Sequence, residues 1–206
     1  MNMKIKTAVL LVILIGSFQN LIGGDALINF NQMDTLPFYE IPKEPKAYNA
    51  ATVTARMVEG LGYRYHWATK DLRPEDLAYE PGNDGQNCAS VLEHILGLSR
   101  FILRTVKKEV HDNTREYPEL DWAGQREETL MNLKTASEIL RATGDVSESK
   151  IIFKRGEQTS EFPFWNLLNG PLADAIYHTG QITSYRRTSG NPINPNVSVF
   201  RGRTRE

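Results

Sequence analysis

Two histidines and one aspartate carry the most informative chemistry in this 206-residue chain. Asp174 precedes His178 by four residues, and on a helix that spacing puts both side chains on one face, with Cβ atoms about 5–6 Å apart. A carboxylate and an imidazole so placed can chelate one ion. His94, on the inward side of an upstream helix, is expected to add a second imidazole across the core. Together His94, Asp174 and His178 would offer a divalent ion (zinc, nickel, manganese or iron) two nitrogens and one oxygen, with further positions left for water or substrate. Gln181 and Tyr185 continue the same helix and are candidates for orienting the ligands.

Each residue also has a reading without metal. Asp174 in a first helical turn would favour the positive end of the helix dipole. His94 and His178 can be core histidines hydrogen-bonded to Asp174 or to a tyrosine. Trp165, Asn166 and Asn169 crowd the start of the same region and are expected at a pocket mouth, or as core and cap residues. His66, beside Trp67, and His111, among charged residues, are read as structural or solvated. Cys88 is the single cysteine, so no intramolecular disulfide can form, and it is read as a small buried hydrophobe. No separate general base, Ser-His-Asp set or phosphate-binding glycine loop stands out, and the catalytic residues are not identified.

The elements that must position the cluster follow from apolar spacing. From Lys46 to about Lys70, Ala51, Ala55, Val58, Gly62 and Tyr65 recur every three or four residues and predict a first helix. Pro74, Pro81, Gly82 and Gly85 mark a long connection. A second helix starts near the cap residue Asn87, with Val91, Ile95, Leu98 and Ile102 on one stripe and His94 beside it. A third covers 121–142, through Leu130, Leu133 and Leu140. Residues 146–163 hold the β-prone run Ile151-Ile152-Phe153 and a turn signal at Gly156, but an isolated hairpin is marginal, and the segment is expected to be irregular. The fourth helix starts either at Phe164 or at Pro171 and runs to about Thr188, with Ala175, His178, Ile182 and Tyr185 facing inward. Four amphipathic helices bury their stripes most simply around one core, so the expected fold is an all-α four-helix bundle at 46–190. An extended lead-in at 27–45 would precede it and an extended tail at 191–206 would follow.

Lys4 and Lys6 precede the apolar run Ala8 to Ile15, the layout of a secretory signal peptide, placed at 1–26 with its cleavage bond undefined. The run is too short for a transmembrane helix, so an exported, periplasmic or extracellular protein without a permanent membrane anchor is expected. The formal net charge of −1 argues against nucleic acid as a partner, because phosphate contacts call for a basic face. A small-molecule substrate and a homodimer are both compatible with the composition.

The stretch Trp165-Asn166-Leu167-Leu168-Asn169-Gly170-Pro171-Leu172-Ala173-Asp174-Ala175-Ile176-Tyr177-His178-Thr179-Gly180-Gln181-Ile182 resembles the last helix of DinB-like proteins, above all in His178-x-Gly180-Gln181-Ile182. Ser90-Val91-Leu92-Glu93-His94-Ile95 is similar to that family's second helix, where a histidine is the first metal ligand. The resemblance covers about 46–190 and implies a four-helix bundle with a divalent metal on three inward side chains. One departure is plain: the family's last helix carries His-x-x-x-His, whereas the earlier position here is Asp174. Family members include thiol-dependent transferases and isomerases, so the resemblance implies a metal-dependent hydrolase or transferase without naming a substrate. The competing expectation is a non-catalytic, exported binding or stress-associated bundle without metal.

Overall fold

A computed structural model describes residues 36–205; the export signal read at 1–26 lies outside the described residues. Helix α1 (Ala50–Thr69) opens on a reciprocal cap, the Asn49 side chain accepting from the Thr52 backbone N–H at 2.9 Å while the Thr52 hydroxyl accepts from the Asn49 N–H at 3.0 Å. Two donors that would otherwise lack partners are thereby satisfied. A short turn of helix, α2 (Pro74–Leu77), follows inside the long connection. Helix α3 (Cys88–Val106) is capped by Asn87, and α4 (Trp122–Ala142) by Asp121, each side-chain oxygen accepting a backbone N–H three residues on.

The chain then forms a three-residue helix α5 (Trp165–Leu167), a wide turn over Leu168–Leu172 and the last long helix α6 (Ala173–Thr188). Of the two starts expected for the fourth helix, Phe164 stands at the N-cap of α5, whereas Pro171 lies inside the wide turn and α6 begins after it, at Ala173. The break between α5 and α6 has a clear cause, since Pro171 lacks an N–H and its ring crowds the preceding turn, while Gly170 takes the non-helical φ −96°, ψ −108°. The long helices pack in the ring order α1, α4, α3, α6. The connections α1→α3 and α4→α6 thus cross diagonals of the ring, whereas the consecutive helices α3 and α4 are neighbours.

The expectation of an all-α bundle is overturned, because two small sheets accompany the helices. Strand β1 (His111–Asp112) pairs in parallel with β2 (Lys150–Arg155), which pairs antiparallel with β3 (Gln158–Pro163) in the register Ile151↔Phe162 and Phe153↔Ser160. Gly156 supplies φ +61° at the tight turn, where a left-handed backbone favours glycine. The hairpin expected to be marginal persists because it is not isolated. Ile151 is buried in the main core, and the Phe153 ring lies 5.4 Å from Phe101 of α3. The tail is likewise not simply extended: β4 (Val197–Ser198) and β5 (Arg203–Thr204) form a second hairpin.

Helix α1 is buried nearly all round. Part of the cover comes from the lead-in, where Phe38 inserts against Gly62 so closely that a Cβ there would sit 2.4 Å from the ring. The Trp67 indole N–H also donates to Tyr39 O at 3.2 Å, and His66 Nδ1 meets Pro37 O at 3.0 Å. The C-terminal end of α1 is served by two buried guanidinium groups. Arg186 of α6 donates through Nη1 to Lys70 O at 2.7 Å, Ala68 O at 3.2 Å and Trp67 O at 3.3 Å, and Arg126 of α4 donates to His66 O at 3.3 Å. Cations there satisfy carbonyls that the helix leaves over and complement the negative end of its dipole.

Candidate metal centre

Asp174 stands in the first turn of α6, and His178 follows one turn later. Their spacing brings His178 Nε2 to 3.3 Å from Asp174 Oδ1. From α3, eighty residues upstream, His94 Nε2 reaches the other oxygen, Asp174 Oδ2, at 3.0 Å. One carboxylate therefore bridges two imidazoles whose ring centroids lie 4.6 Å apart and nearly perpendicular. The ligand atoms of the three residues lie within 4.8 Å of one another, and the group can hold a metal ion.

The cluster is not inside the bundle, contrary to the expectation from apolar spacing. It occupies the outer seam between α3 and α6, with His94 45% exposed, Asp174 43% and His178 17%. The stripe of α6 that faces the core is Ala175, Thr179, Ile182 and Arg186, so His178 stands one position round from it. On α3 the inward residues are Val91, Leu92, Ile95 and Ile102, and His94 is displaced in the same sense. Both imidazoles thus meet at the seam where the two helices diverge towards solvent.

The donor set fits a divalent cation. Bonds of about 2.1 Å place ligand atoms no more than about 4.2 Å apart, so ligand atoms that lie within 4.8 Å of one another would have to draw slightly closer around an ion. Gln181 strengthens the case: its Oε1 faces His178 Nδ1 at 2.6 Å, with its amide nitrogen towards Tyr177 Oη at 3.5 Å. With Oε1 as the acceptor the proton lies on Nδ1, and Nε2 of the same ring faces the Asp174 carboxylate. A cation between Nε2 and the carboxylate would be held by both. Gln181 thus lies where the sequence expectation put an orienting residue. Tyr185 does not join the cluster by any hydrogen bond among the described residues; its ring packs 5.3 Å from Tyr79 against the core.

Beside Asp174 opens a cleft of about 680 Å³ between α3, the hairpin and the start of α6. Asn166 and Asn169 line it as expected, whereas Trp165 is 73% exposed and is not core. Its apolar wall of Leu98, Phe101, Ile151, Phe153 and Phe162 escaped sequence reasoning. The run Ile151-Ile152-Phe153 carried the signal, but only tertiary contact turned a marginal hairpin into a wall.

The other titratable residues separate cleanly from this centre. His66 is fully buried on α1 and has no place in the cluster. His111, read as structural or solvated, is buried on β1, stacks 3.9 Å from Phe101 and pairs through Nε2 with Thr105 Oγ1 at 3.0 Å. Burial, aided by the nearby Arg104 charge, pushes its pKa down to about 4, so it is neutral at pH 7. Cys88 is fully buried, and desolvation pushes its thiol up to about 12, which leaves it unreactive as a nucleophile. No family model, curated protein or solved structure matches the chain.

Proposed function

We propose that this chain is a DinB-like, metal-dependent hydrolase or transferase that holds one divalent ion on His94, Asp174 and His178 and acts on a small molecule in the adjoining cleft. The observation that carries the reading is the single carboxylate shared by two imidazoles from helices eighty residues apart, next to an apolar cavity large enough for a small ligand. A bound ion would polarise a substrate group or lower the pKa of a bound water or thiol. The protein's own groups do the rest. Gln181 holds His178 in the tautomer that presents Nε2, Asp174 spans both rings, the aromatic wall excludes water from an apolar substrate body, and Asn166 and Asn169 offer amide hydrogen bonds at the rim.

The charged start and apolar run of residues 1–15 support export, and no helix among the described residues is long and apolar enough to cross a membrane. Elemental analysis of protein purified without added metal tests the reading. Near-stoichiometric metal that disappears in His94→Ala is the expected result. Failure to retain zinc, nickel, manganese or iron after reconstitution would sink it and leave a hydrogen-bonded His-Asp-His group on a binding protein.

A further inference from the structure

Next to the cleft, and sharing Phe101 and Phe153 with it, lies a second cavity of about 210 Å³. Tyr117 lines it together with Arg100 and Arg104, whose guanidinium groups stand 3.9 and 5.3 Å from the ring centre, and Arg115, outside the lining, stands 5.7 Å from the same ring. Only Arg100 has a carboxylate partner among the described residues, donating to Glu128 Oε2 at 2.7 Å. Arg104 is 9% exposed and stands over the Tyr117 ring without a carboxylate at ion-pair distance among the described residues. The one acidic side chain lining this cavity is Asp112, whose Oδ1 accepts from the Thr114 N–H and hydroxyl and whose charge interacts with those of Lys154 and Arg104. Around the Tyr117 ring the three guanidinium groups of Arg100, Arg104 and Arg115 thus face the two carboxylates of Glu128 and Asp112, an excess of one positive charge that favours an anion.

The geometry along α3 links this recess to the metal centre. His94, Leu98, Phe101 and Arg104 succeed one another on adjoining faces of one helix, and ten residues of helical rise separate the ends by about 15 Å. Between them run Leu98, Phe101 and the hairpin's Phe153.

We infer that the ligand of this face is an amphipathic organic anion, its charged group on Arg104 beside Tyr117 with Arg115 adding positive charge from outside the recess, its alkyl or aryl body over Phe101 and Phe153, and its other end at His94, Asp174 and His178. The placement of the far end rests on the metal reading above; the anion recess does not. Guanidinium groups suit a carboxylate or a phosphate head equally.

Calorimetric titration of the full chain with decanoate, decyl phosphate, 1-decanol and inorganic phosphate tests the inference and separates the two head groups. Decanoate or decyl phosphate should bind at least about 10-fold more tightly than decanol and than phosphate alone, because a charge-assisted pair and the apolar body each contribute. Arg104→Gln should weaken the anion by about 10-fold or more. Since Arg104 is buried, a second variant guards against misfolding: Gly97→Leu projects into open space beside the recess, and its Cβ meets no heavy atom within 4 Å. It should abolish binding while leaving the thermal midpoint intact. Equal affinity for decanol, or unchanged anion affinity in both variants, overturns the inference. Anion binding by a protein that never retains metal sinks the metal reading alone; stoichiometric metal without anion binding sinks this inference alone.

Discussion

Removing the Gln181 amide tests whether the cluster is built for a cation. Its Oε1 sits 2.6 Å from His178 Nδ1, and we expect Gln181→Ala to release the ring, so that the tautomer presenting Nε2 is no longer enforced. Losing such an outer partner weakens metal binding by about 10–100-fold, equivalent to about 1.4–2.8 kcal/mol. Under saturating zinc, the metal stabilises the fold by an amount that depends on the logarithm of its affinity, so the variant loses this increment whatever the excess. For a chain of this size each kcal/mol moves the thermal midpoint by about 2–4 °C. The zinc-induced rise should therefore shrink by about 3–11 °C in Gln181→Ala, read by differential scanning calorimetry with and without zinc. Gln181→Glu should restore it, because a carboxylate also accepts the Nδ1 proton and cannot turn a donor towards the ring. An unchanged zinc shift in Gln181→Ala, or a Glu variant as weak as the Ala one, would refute the reasoning and favour a network in which the amide donates to His178.

Two further outcomes concern the scaffold. Arg186→Met should lower unfolding stability by about 2–4 kcal/mol in urea titration, since it strips donors from buried carbonyls at the end of α1; a loss under about 0.5 kcal/mol would contradict the capping role. Asp76 is almost fully buried, and although desolvation alone would raise its pKa, hydrogen bonds from Arg73, Ser189 and Asn191 hold it well below the usual carboxylate range. Its stabilisation is present above the unfolded value of about 3.9 and is lost as pH falls towards the folded one, so the gap in urea midpoint between wild type and Asp76→Asn should be wide at pH 7 and narrow at pH 2.

Local rules made much of the helical framework legible. Asn87 and Asp121 cap the helices that begin after them because a short side-chain acceptor satisfies the first free N–H groups. The Asp174–His178 pair follows from helical rise alone, and Gly156 marks its turn because few other residues take a positive φ. Facing direction was less legible. Ala175, His178, Ile182 and Tyr185 keep a three-four rhythm, yet the buried stripe is Ala175, Thr179, Ile182 and Arg186. An adjacent stripe competes, and the neighbours of α6 decide between them. Arg186 goes inward only because the carbonyls of α1 await it.

By itself the sequence determined where α1, α3 and α4 run to within about four residues and which two residues of α6 share a face, since these depend on neighbours within one or two turns. Tertiary structure decided that His94 meets that pair on the outer seam rather than in the core, that Ile151 and Phe153 stabilise a hairpin against α3, and that Arg104 gathers with Arg115 around Tyr117. Each of these joins distant stretches of chain through helix rotation and close packing, quantities set by all the surrounding side chains at once and written in no single segment.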